Sequence, residues 1–94
     1  MEKVSETGIE KFRETIGTDG LIMNIRVEKT ADGTSSNAPV VRGEKKVATL
    51  SSETDGSFML TVEKDANLSP AEFFDLFKKS ADVLAEINGV EKPE

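Results

Sequence analysis

The 94 residues carry 18 acidic and 12 basic side chains for a formal charge of -6, and there is no cysteine, histidine, tryptophan or tyrosine. Disulfides, thiolate chemistry and the commonest metal ligands are thereby excluded, and binding to phosphate backbones, which draws on clustered Lys and Arg, is disfavoured. At 36% hydrophobic and 32% charged residues the chain reads as one small domain, 1–94, with a modest core that a homodimer would help to complete.

No apolar run approaches the ~20 residues needed to span a bilayer. The start, MEKVSETG, lacks a basic segment followed by an apolar one, so no membrane association and a cytoplasmic location are expected. The ordered core is expected over about 8–89.

In chain order, GIEKFRETIG comes first. Ile9, Phe12 and Ile16 suit a short helix with Thr7 and Glu10 as its capping box. Phe12, Glu14 and Ile16 also alternate as in a strand. The helix is the preferred reading.

Leu21 to Lys29 alternates cleanly, with Leu21, Met23, Ile25 and Val27 on one face and Ile22, Asn24, Arg26 and Glu28 on the other. It is entered through Thr18-Asp19-Gly20, and the same chemistry recurs at Thr54-Asp55-Gly56 before a second strand. Each glycine is expected at positive φ.

Between them, TADGTSSNAP, Thr30 to Pro39, is small and polar with almost nothing apolar to pin it. It reads as a flexible loop, 30–39, with Thr34, Ser35, Ser36 and Asn37 as candidate binding residues. Pro39-Val40-Val41-Arg42 opens a further extended segment that RGEKK either bulges or turns before Val47. Arg42, Lys45 and Lys46 make a weak cationic patch, read as the lysine protection of an edge strand.

KKVATLSSE then pairs with FMLTV. A two-residue loop would set polar residues opposite Phe58, Leu60 and Val62 on the core face. A three-residue loop, Thr54 to Gly56, instead pairs Ser52 with Phe58, Leu50 with Leu60 and Ala48 with Val62, and is preferred.

The last element is the best marked. Ser69 is the N-cap, Pro70 stands at N1 where its missing N–H is harmless, and Glu72 at N3 reaches back to the cap. From there Phe73, Leu76, Phe77, Leu84 and Ile87 form the centre of an apolar stripe, until Asn88 and Gly89 end the helix. The stripe is wide, so its rim residues Phe74, Ala81 and Val83 are candidate contacts for another molecule. A frayed tail, 90–94, is expected to follow.

The fold expected is α+β: three to four antiparallel strands, a C-terminal amphipathic helix packed on one face, and a short N-terminal helix. On the far face Ile22 and Met59 are further candidate interaction residues.

Chemistry is sparse. Asp75, Asp82 and Glu86 project from the solvent side of the helix, where nothing raises a pKa. DANLSPAEFFDL lacks the Gly at position 6 and the Glu at position 12 of a calcium loop. No cofactor, no metal and no catalytic set is assigned. The function expected is that of a small acidic, non-enzymatic interaction module, a regulator or inhibitor meeting a basic or apolar protein surface or a second copy of itself. The alternative is a small-ligand binder that closes the 30–39 loop over the sheet.

Overall fold

Six strands fill most of the chain as far as Val62. The computed structural model describes residues 2–6, 9–18 and 20–88, the first five by backbone alone. The strands are β1 (Glu2–Glu6), β2 (Glu10–Ile16), β3 (Leu21–Thr30), β4 (Gly33–Arg42), β5 (Lys45–Ser52) and β6 (Phe58–Val62). All pair antiparallel in sequence order, forming a six-stranded meander. Helix α1 (Pro70–Ile87) follows.

The α+β class and the C-terminal helix therefore hold, while the count of three to four strands and the N-terminal helix are overturned. Residues 10–16 are strand because pairing Ile16 with Leu21, and Phe12 with Ile25, places both apolar side chains of β2 over the core. The intervening inward glutamates find cations. Glu14 lies 3.8 Å from Lys79 of the helix and Glu10 lies 3.7 Å from Lys29. A glutamate facing inward is tolerable when a lysine from the covering layer reaches it, and that is a tertiary fact.

The expected loop 30–39 is overturned as well. Only Ala31 and Asp32 turn, and Gly33 to Arg42 is an interior strand. Its small polar residues fit because Ser36 is buried beside Ser52, and their hydroxyl oxygens lie 2.6 Å apart. Pro39 sits in mid-strand at a local cost: the ladder to β3 runs from Met23·Val40 to Arg26·Asn37 with nothing between, as expected where a residue has no N–H to give.

RGEKK both turns and bulges. Gly43, at φ +62, makes the tight turn into β5, and the register then shifts so that Val47 and Ala48 are both buried. Because β5 is an interior strand, the reading of Lys45 and Lys46 as edge protection does not stand. The next hairpin follows the preferred three-residue loop, with Ser52 opposite Phe58, Leu50 opposite Leu60 and Ala48 opposite Val62. Gly56 has φ +90.

The sheet's inner face carries Leu21, Met23, Ile25, Val27, Ala38, Val40, Ala48 and Leu50, all buried. Helix α1 lies over it and runs antiparallel to β2. Asp75 approaches Gly17, Lys79 meets Glu14, and Ile87 shares a recess with Phe12 and Val27. Both halves of the Ser69 and Glu72 capping box are formed, and Arg42 pairs with the Glu72 carboxylate, tying the helix start to the end of β4. Residues 89–94, including the expected tail, lie outside the described residues.

Candidate functional site

The helix sets its rotation by what it buries. Leu76, Ser80 and Val83 point into the core, with Leu84 and Ile87 packed beside them. Val83 is 1% exposed, so its assignment to the rim is a correction. Phe77, expected in the centre of the stripe, is 53% exposed. The buried face is rotated by about half a residue's angle from the sequence expectation, toward the flank on which Lys79 and Asp75 meet β2 and the Gly17 turn.

The opposite flank is then only partly covered. Phe73, Phe77 and Leu84 line the side of α1 turned away from β2, and the Phe73 and Phe77 rings meet at a tilt with centroids 6.1 Å apart. The inward residues of β6 lie on the same face of the sheet as the helix. Leu60 and Val62 are half-buried, and Phe58, expected in the core, is 64% exposed. Phe74 is 67% exposed on the outer side of the helix, where Ala81 is exposed too.

The remaining candidates do not join this surface. Ile22 pairs with Val41 on the outer face, both half-buried, while Met59 lies 65% exposed in a different cross-strand row. Thr34 and Ser35 are half-buried strand residues, Asn37 is exposed on the outer face, and Ser36 points inward to Ser52. No segment is left to close over the sheet as a lid, since residues 33–42 are themselves part of it.

One feature escaped sequence reasoning. Lys11 stands opposite Arg26 across β2 and β3, Arg26 opposite Asn37, and Asn37 opposite Ser51, in one row over the outer face. Like charges directly opposed repel, and neither Lys11 nor Arg26 forms an ion pair with the described residues. A shallow depression of about 330 Å³ opens here, lined by Lys11, Asn24, Arg26, Asn37 and Pro39, over the gap that Pro39 leaves in the ladder. A second of about 230 Å³ continues it toward Ser35 and Ser51 and is lined also by Glu28 and Glu53. Only the pairing register reveals this row, because its members are far apart in sequence.

Catalytic geometry is thin. The Ser36 and Ser52 hydroxyls are hydrogen-bonded to each other. Among the described residues no three carboxylates gather as a metal site, and no helix is long and apolar enough to cross a membrane. The Glu72 carboxyl is held below the usual glutamate range by the Ser69 backbone N–H and, beyond that, by the Arg42 guanidinium. The Ser57 hydroxyl and N–H do the same for Asp55 in the β5–β6 turn. Both serve local structure, a helix cap and a turn.

The fold thus defines a single-sheet α+β domain with one helical layer. Comparison with protein-family models, with curated proteins and with solved structures found no match in any of the three.

Proposed function

We propose that this chain is a small, cytoplasmic, non-enzymatic interaction module, a regulator or inhibitor that receives an apolar segment of another protein against the partly covered flank of α1. The observation that carries this reading is the exposure of Phe74 and Phe77 on a helix whose opposite flank is tied to β2 by charge. Large aromatic side chains left in water are the usual anchors of protein interfaces. The outer helix surface mixes Asp82 and Glu86 with Lys78, so an apolar contact is favoured over a uniformly acidic one.

The test is affinity capture of partners from the native host with the wild type and with a Phe74→Ser, Phe77→Ser variant. A partner bound by this flank persists at high salt and is lost with the variant, because apolar contacts are not screened. Equal recovery on both proteins would remove the proposal.

The Lys11 to Arg26 row favours a second reading, a small anionic ligand held on the outer face with the Asn24 and Asn37 amides as donors. Titration with inorganic phosphate and with a dicarboxylate, followed by the NMR shifts of those two amides, tests it. Unmoved amide signals would eliminate it.

A further inference from the structure

The two edges of the sheet differ in kind. The β1 edge carries charged residues in EKVSE and a register shift between Lys3 and Ser5. Charges and bulges are the devices by which natural sheets discourage edge pairing. The β6 edge, FMLTV, has neither charge, proline nor bulge, and its pairing with β5 is regular. Edges of this kind are templates for another strand.

The backbone shows which residues would pair. Glu53 N–H donates to Ser57 O, and Glu63 N–H donates to Val47 O, so the odd-numbered residues of this stretch bond inward to β5. By the alternation of an antiparallel ladder, the N–H and C=O groups of Phe58, Leu60 and Val62 point out of the sheet. We propose that β6 pairs antiparallel with β6 of a second copy, about a twofold axis through Leu60, to form one continuous twelve-stranded sheet.

That register satisfies every outward group of the strand. Leu60 meets Leu60, Phe58 meets Val62 on the inner face, and Met59 meets Thr61 on the outer face. The sequence is complementary to itself in this arrangement, which is what a twofold interface requires. Charge agrees with it. A chain of formal charge -6 repels its copy, yet this edge is neutral from Phe58 to Val62. This inference stands on the strand edge and is independent of any partner on the α1 flank.

The experiment is sedimentation equilibrium at micromolar to high micromolar concentration on three proteins. Wild type is expected to dimerise. Met59→Lys with Thr61→Lys sets like charges opposite each other twice and is expected to weaken dimerisation by more than about tenfold. Met59→Lys with Thr61→Glu sets opposite charges there and is expected to restore it. Both positions are exposed, and circular dichroism checks that each variant folds. A wild type monomeric throughout, or two variants that dimerise equally well, would overturn the proposal.

Discussion

Ser36 and Ser52 meet across β4 and β5 with their hydroxyl oxygens 2.6 Å apart, both buried on the inner face of the sheet. Each satisfies the other where water does not reach. Ser52→Ala strands the Ser36 hydroxyl and is expected to cost about 1–3 kcal/mol. Replacing both by alanine is expected to cost less than the sum of the single changes, as read from urea unfolding. Strictly additive costs would show that the two hydroxyls do not depend on each other.

Leu76 and Phe77 are neighbours with opposite fates, since Leu76 is fully buried and Phe77 is more than half exposed. Leu76→Ala is expected to lose about 2–5 kcal/mol. Phe77→Ala is expected to lose under about 1.5 kcal/mol despite removing the larger side chain. Chemical denaturation of the pair decides whether the helix is rotated as described.

Glu72 binds its proton more weakly in the folded chain than in the unfolded one. Its contribution is therefore fully present above the unfolded value, about 4.3, and is lost as pH falls through the lower folded value. Glu72→Gln keeps an acceptor for the Ser69 N–H but not the charge facing Arg42. The stability gap between wild type and this variant is expected to be widest near neutral pH and to close in acid. A gap that stays constant down to about pH 3 would contradict the assignment.

Gly33 has φ +134, and a Cβ there would lie 2.7 Å from the Thr54 carbonyl oxygen. Gly43 also has positive φ, but a Cβ there meets nothing within 4 Å. Gly43→Ala is expected to cost about 1–2 kcal/mol for its backbone alone. Gly33→Ala adds a clash with a main-chain atom and is expected to cost clearly more. Thermal unfolding of the two variants separates the steric effect from the conformational one.

The sequence declared those elements whose determinants are local. The Ser69 and Glu72 box, the Gly56 turn with the Ser52 to Phe58 register, and the alternation of β3 are all written within a few residues of where they act. It concealed those whose determinants are distant. Strand β2 looks helical until Lys79 arrives to meet Glu14, and β4 looks like a loop until Ser52 arrives to meet Ser36. Pro39 sits inside that interior strand, at the expense of a gap in the ladder to β3. The candidate site followed the same rule. Phe74 was legible as surplus to the core, whereas the exposure of Phe58 and Phe77 depended on the rotation of the helix, and the Lys11 to Arg26 row on the register of three strands.

The strictly sequential strand order also bears on how the molecule forms. Every hairpin joins neighbours along the chain, so the sheet assembles through short loop closures with little entropic cost. The return of α1 to β2 is the long closure, spanning about sixty-five residues between Glu14 and Lys79. Sheet formation before helix docking would leave Met23, Ile25, Val40 and Leu50 facing water, and a chain stopped after Val62 would be held in that state. Such a sheet without its helix is expected to bind hydrophobic dyes and to aggregate, and docking of α1 is the step that would end the exposure.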